Sequence, residues 1–191
     1  HWVLINAIKK IKEFCDRGIC TAISINISAK NLIDPQFFER TMKVIHESGV
    51  NVNFLEFEIT ESAVMMNPDE NKEILDKFSE NGIKIAIDDF GTGYSSLSYL
   101  SRFPVHTIKI DKFFIKEISK NESIQRIVKS TIHLAKELGY KVLAEGIEEK
   151  EASAIVKEFG CDFAQGFYFA KPIKSEDVFS WYEDHLKNKK F

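Results

Sequence analysis

The chain has 191 residues, 44% of them hydrophobic and 29% charged, with a formal net charge of −3. That much apolar material supports one sizeable core and excludes a disordered polypeptide. The slightly acidic balance supplies no basic field for a DNA or RNA polymer, so an anionic substrate needs local lysines or bound cations.

The first predicted element, "HWVLINAIKKIKEFCDRG", is a helix already under way at His1, so the start reads as a cut within a longer protein. Cys15, Cys20 and Cys161 lack zinc-type spacing and are expected to be buried thiols in a reducing, cytoplasmic compartment. No apolar run reaches the roughly 18 residues of a membrane span, and no signal peptide opens the chain. Any membrane anchor is expected elsewhere in the parent protein.

Short β-rich runs with alternation then follow: "TAISINIS" (21–28), "FLEFEIT" (54–60), "IKIAIDDF" (83–90), "HTIKID" (106–111), "KVLAEGI" (141–147) and "CDFAQGFYF" (161–169). Helical patterns separate them. "DPQFFERTMKVIHESG" and "NPDENKEILDKFSENG" each open on a capping residue followed by proline and close on Gly49 or Gly82. Gly18, Gly139 and Gly160 recur in the same place, a few residues before a strand. The repeating unit is strand then helix, with no linker or low-complexity break, which makes residues 1–191 one domain with a parallel sheet.

Residues two apart in a strand share a face. Ile23, Ile25 and Ile27 therefore oppose Ser24, Asn26 and Ser28, while Leu55, Phe57 and Ile59 oppose Glu56 and Glu58. Ile83, Ile85 and Ile87 oppose Lys84, Ala86 and Asp88, and Ile108 and Ile110 oppose Lys109 and Asp111. An open sheet covered on both faces has near-continuous apolar strands, so this asymmetry favours a (β/α)8 barrel with polar residues in its lumen. Only about six of the eight strands are visible, and the chain is shorter than the roughly 250 residues typical of such barrels.

The strand C-terminal ends, where such barrels carry their sites, present Asn26, Glu58, Glu61, Asp88, Asp89, Lys109, Asp111, Glu145, Glu148 and Gln165. Carboxylates converging on one mouth repel one another unless cations neutralise them. Oxygen ligands without histidine or cysteine suit Mg²⁺ or Mn²⁺ better than Zn²⁺, and two such ions suit phosphodiester hydrolysis. Plainer readings stand beside these. Asn26 also reads as a backbone partner, Glu61 and Glu148 as first-turn helix acids, Asp88 and Asp89 as turn formers, and Lys109 as a structural counter-ion. "GTG" lacks the rest of a phosphate loop and reads as a lid.

The motifs "INIS", "EFEITES", "IDDFGTGYSSL", "IKIDKFFI", "LAEGIE" and "AQGFYFAKP" resemble, in order, those of the EAL-domain cyclic di-GMP phosphodiesterases of bacteria. The resemblance implies a modified TIM barrel that linearises cyclic di-GMP to 5′-pGpG with Mg²⁺ or Mn²⁺, Ca²⁺ being inhibitory. By motif, Asn26, Glu58, Asp88 and Asp89 are similar to metal ligands, and Lys109 to the lysine that contacts attacking water and phosphate. Glu145 resembles the glutamate that serves as general base or as partner of a metal-bound water, and Glu61 the acid that holds the loop after Asp89, through which the family couples dimerisation to its site. Asp111, Glu148 and Gln165 fall to substrate contacts or supporting positions. The chain departs from the family in having no Glu-Ala-Leu strand and no arginine after it. That strand supplies a metal ligand, so this stretch alone is expected to turn over weakly, and the other expectation is an inactive module binding cyclic di-GMP or a protein.

Overall fold

The computed structural model describes residues 1–93 and 100–187, the side chains of 186 and 187 excepted. Six strands form one sheet in chain order: β1 (Ile23–Asn26), β2 (Leu55–Thr60), β3 (Lys84–Phe90), β4 (Thr107–Ile110), β5 (Lys141–Ala144) and β6 (Phe163–Ala164). Every neighbouring pair is parallel. The sheet curls into a half-barrel, the incomplete TIM barrel that the spacing of the elements predicts.

Helices cover the convex side. α1 (Trp2–Asp16) precedes β1; α2 (Ala29–Leu32) and α3 (Phe37–Ser48) link β1 to β2; α4 (Glu61–Met66) and α5 (Pro68–Glu80) link β2 to β3. α6 (Lys112–Glu117) and α7 (Glu122–Glu137) link β4 to β5, α8 (Lys150–Glu158) links β5 to β6, and α9 (Val178–Lys187) follows. Gly18, Gly49, Gly82, Gly139 and Gly160 all adopt left-handed φ, between 66 and 88°, where the helices turn toward the next strand.

Burial along β2 alternates strictly, with Leu55, Phe57 and Ile59 facing the helices and Glu56 and Glu58 facing the lumen. Under the helices Phe78 of α5 meets Phe37, Phe38 and Phe57 at ring-centroid distances of 5.5, 5.0 and 5.1 Å. Those edge and tilted geometries add to the area term of each buried ring.

Three expectations are corrected in detail. The 161–169 stretch pairs as a strand only at Phe163–Ala164. Beyond it, Ile147 N–H donates to Gln165 O and Tyr168 N–H donates to Ile147 O, so the chain folds back over the end of β5. Helix α3 begins at Phe37, with Gln36 at its cap position. Asp34 instead accepts the Gln36 N–H (3.0 Å) and pairs with Arg40, a turn that precedes the helix. The cysteines are not buried: Cys15 on α1 and Cys161 before β6 are half-buried, and Cys20 is exposed because the segment from α1 to β1 sends only Ile19 into the core.

Candidate active site

Strands β2, β3 and β4 and the end of β5 bring Glu58, Asp88, Lys109 and Glu145 to one point in the lumen. The Lys109 Nζ lies 3.0 Å from Glu58 Oε2, 3.0 Å from Asp88 Oδ1 and 2.7 Å from Glu145 Oε1. Only 4% of the Lys109 side chain is exposed, so its charge is compensated by these acids rather than by solvent. One ammonium against three carboxylates leaves an excess of negative charge at the rim.

Adjacent strand residues ordinarily point to opposite faces. Asp88 and Asp89 escape this because Asp89 has a positive φ of 53°, alone among the described non-glycine residues, and the β3–β4 register shifts between Ile87 and Phe90. This bulge leaves Phe90 buried on the apolar face while both carboxylates reach the lumen side. Asp89 N–H donates to Asp88 Oδ1 at 3.1 Å. Ligand oxygens of Asp88, Asp89 and Glu145 lie within 4.8 Å of one another. Oxygens on opposite sides of a divalent ion bound at roughly 2.0–2.6 Å stand about 4–5 Å apart, so this donor set fits Mg²⁺, Mn²⁺ or Ca²⁺ by both spacing and chemistry.

Electrostatics follow from the crowding. Burial pushes the Glu145 carboxyl above its ordinary value, and the Lys109 ammonium offsets this only in part. Asp89 is also raised, by burial first, then by repulsion from Asp88 and a hydrogen bond with Asp111. Burial alone would lower Lys109, but hydrogen bonds to Glu145 and Glu58 outweigh it and keep the ammonium charged.

The remaining predicted residues divide. Gln165 joins the cluster, its Nε2 donating to Glu145 Oε1 at 2.9 Å. Asp111 is buried beside Asp89 and caps α6, accepting the Phe113 N–H at 2.7 Å. Glu61, the first residue of α4, is buried and accepts the Gly91 N–H at 2.9 Å, so it grips the loop after β3 rather than the lumen. A Cβ on Gly93 would stand 2.9 Å from Glu61 Oε1, which shows how closely that loop passes. Asn26 is exposed at the end of β1, paired in register with Glu58. Glu148 makes no ion pair with Lys109 but pairs with Lys116 at 3.0 Å, and both line the cavity onto which Glu145 opens.

One lumen residue went unnamed among the sequence candidates. Glu56 accepts Ser24 Oγ–H at 2.8 Å and Thr107 Oγ1–H at 3.4 Å, tying β1, β2 and β4 together one layer below Glu58. The parity that placed Glu58 inward carries the same signal for Glu56. Beside the cluster, Glu145 and Gln165 open onto a cavity of about 710 Å³ whose wall includes Lys112, Lys171, Phe167 and Trp181. An apolar and aromatic wall with lysines at its edge suits a ligand that is both planar and anionic.

A lumen-facing acidic centre with one buried lysine thus sits at the C-terminal rim of a parallel half-barrel, the end at which barrels of this class carry their sites. The EAL domain family model matches residues 1–172, and the chain belongs to that family. It is 35% identical over 187 residues to the cyclic di-GMP phosphodiesterase PdeR of Escherichia coli K12, and 38% identical over 175 residues to the signaling protein YkoW of Bacillus subtilis 168. These matches cover 98% and 92% of this chain but only 28% and 22% of the two relatives. Among solved structures, the PaMucR phosphodiesterase in complex with c-di-GMP superposes with a TM-score of 0.88 at 33% identity, covering 93% of this chain and 72% of that one. The EAL domain of Mycobacterium smegmatis DcpA gives 0.89 at 34% identity, covering 96% and 83%. Among the described residues no helix is long and apolar enough to cross a membrane.

Proposed function

We propose that this chain carries the hydrolytic site of a cyclic di-GMP phosphodiesterase, using Mg²⁺ or Mn²⁺, two ions in all, to give linear 5′-pGpG. The observation that carries the reading is the Lys109 ammonium held among Glu58, Asp88 and Glu145, with Asp89 beside them. In this reading Asn26, Glu58, Asp88 and Asp89 hold the cations. When bound, the cations lower the pKa of a water and offset charge on the phosphoryl group.

The other contributions come from the chain itself. Glu145, raised by burial and oriented by Gln165, accepts a proton from the attacking water. Water oxygen bonds to phosphorus, the P–O3′ bond breaks, and the ring opens to a 5′-phosphate and a 3′-oxyanion that takes a proton from solvent to become the 3′-hydroxyl. Lys109 donates a hydrogen bond to a non-bridging phosphate oxygen, giving charge stabilisation without a proton transfer. Glu61 positions the loop after Asp89 through Gly91. Lys112, Lys171 and the aromatic wall receive the rest of the dinucleotide. A homodimer contact through the loop after Asp89 belongs to the same proposal, although residues 94–99 lie outside the described residues. A cytoplasmic site of action matches a bacterial second messenger.

A second reading is a module that binds cyclic di-GMP, or a protein partner, without cleaving it, the Lys109 ammonium being already engaged by three carboxylates. Calorimetry with cyclic di-GMP and Mn²⁺, followed by chromatography of the mixture, separates the two. The first reading expects binding and a slow appearance of linear dinucleotide, with binding retained but product lost in Glu145→Gln. Binding without product establishes the sensor, and no binding at all removes both cyclic di-GMP readings.

A further inference from the structure

Ser24, Glu56 and Thr107 stand two residues before Asn26, Glu58 and Lys109 on β1, β2 and β4. Residues two apart share a face, so the three form a layer of the same lumen surface roughly 7 Å below the site. In that layer each Glu56 oxygen takes one hydroxyl: Oε1 accepts Ser24 Oγ–H at 2.8 Å and Oε2 accepts Thr107 Oγ1–H at 3.4 Å. The first bond joins residues already paired in register on neighbouring strands. The second joins strands that are not neighbours, because β3 lies between β2 and β4. Glu56 can span β3 because the residue registered there against both Glu58 and Thr107 is Ala86, fully buried, whose single methyl leaves the path open.

We propose that Glu56 is a positioning residue of the hydrolytic site, an inference that rests on the hydrolytic reading above. Its carboxylate braces the curl of the sheet between β2 and β4 and so sets where Glu58 and Lys109 stand relative to each other. The site has the same span as the brace: Lys109 Nζ on β4 reaches Glu58 Oε2 on β2 at 3.0 Å, again across β3. A flatter sheet draws those two strands apart and carries the ammonium away from Glu58. The Ser24 bond extends the brace to β1, which pairs only with β2 among the described strands and carries Asn26 at its end.

The strands themselves do not depend on Glu56. Leu55, Phe57 and Ile59 of β2 and Ile108 and Ile110 of β4 are buried under the helices, and that apolar face holds them in the sheet. Removing the brace therefore loosens the lumen face of a fold that still stands. The role needs the two hydroxyl bonds and not the negative charge, which separates it from a general electrostatic pull on cations.

The test combines the Lys109 ammonium signal, a calorimetric Mn²⁺ titration and cyclic di-GMP kinetics. The signal is read by nuclear magnetic resonance in metal-free protein labelled with ¹⁵N at its lysine side chains, and its loss in Lys109→Arg assigns it. In Glu56→Ala the signal is expected to shift and broaden, and Mn²⁺ affinity to fall about tenfold. There kcat should fall about tenfold while KM stays within about twofold, because a misplaced reacting group costs rate rather than binding. Glu56→Gln keeps the reach and bonds both hydroxyls, accepting from one and donating to the other, so it should restore all three readouts. Thr107→Val, of nearly the same volume, should move the signal as Glu56→Ala does, and it serves where Glu56→Ala fails to fold. An unmoved signal in these variants overturns the proposal, and so does a Glu56→Gln as impaired as Glu56→Ala, since charge alone then explains the effect. Wild-type protein that neither binds Mn²⁺ nor cleaves cyclic di-GMP refutes the hydrolytic reading instead, and the metal-free ammonium signal still decides the brace.

Discussion

Lys109 Nζ stands 2.7 Å from Glu145 Oε1, the shortest of its three carboxylate contacts, and both groups are almost withdrawn from solvent. A cation in that position does two jobs: it neutralises acids that otherwise repel, and it presents a donor to whatever anion enters the lumen. Replacing it by methionine keeps much of the volume and removes the charge, leaving three half-buried acids uncompensated. The expected cost is about 3–5 kcal/mol in the presence of a chelator, the range for breaking a buried ion pair. Added Mn²⁺ recovers part of it. Urea denaturation midpoints with and without Mn²⁺ check this, and equal midpoints for wild type and Lys109→Met refute the electrostatic account.

Asp89→Asn is expected to move stability and metal affinity in opposite directions. Asparagine tolerates the left-handed conformation at φ 53° as well as aspartate and removes a carboxylate that burial and Asp88 already disfavour. Without metal the variant should be more stable by about 0.5–1 kcal/mol, the scale of a local relief of this kind. Its Mn²⁺ affinity should fall by about tenfold or more. Thermal melting and a calorimetric Mn²⁺ titration give the two numbers.

Glu61 and Gly93 should behave as one unit. Glu61→Ala frees the Gly91 N–H and is expected to cost about 1–3 kcal/mol. Gly93→Ala drives a methyl against Glu61 Oε1 and should cost about 1–3 kcal/mol in the wild-type background. With Glu61 shortened the clash disappears, so the double variant should be more stable than the sum of the single losses predicts, by about 0.5–3 kcal/mol. A double-mutant cycle from chemical denaturation measures the coupling, and additivity within error contradicts the contact.

Asp162 provides a pH-dependent prediction away from the site. Burial pushes its carboxyl up, but the Val142 N–H (3.0 Å), Lys141 (3.0 Å) and Lys136 outweigh it, so the folded-state value is lowered. A lowered folded value means stability that is present above the ordinary carboxylate range and lost as pH falls through the folded value. Asp162→Asn should therefore cost about 1.5–3 kcal/mol at neutral pH, the scale of a hydrogen bond to a charged group. The difference from wild type should shrink toward zero in acid. Denaturation across a pH series reads it directly, and a gap independent of pH argues against the ionised pairing.

Local pattern carried much of this protein. Period-two alternation assigned Glu58, Asp88 and Lys109 to one face of their strands, and closing glycines marked where each helix gives way to the next strand. These are properties of neighbouring dihedral angles, so the sequence states them without reference to the rest of the chain. Alternation did not supply the left-handed turn at Asp89 or the bulge beside it, which together carry two consecutive acids to one side. Nor did it supply the pairing of Glu148 with Lys116 on the cavity wall or the brief two-residue pairing of β6, and the hold of Glu61 on the loop after Asp89 was legible from the motif rather than from alternation. Those depend on strand register, on the curl of the sheet and on the path of non-repeating loops, which fix distances through space. Periodicity fixes only the direction in which a side chain leaves the backbone, and the tertiary structure decides what it meets.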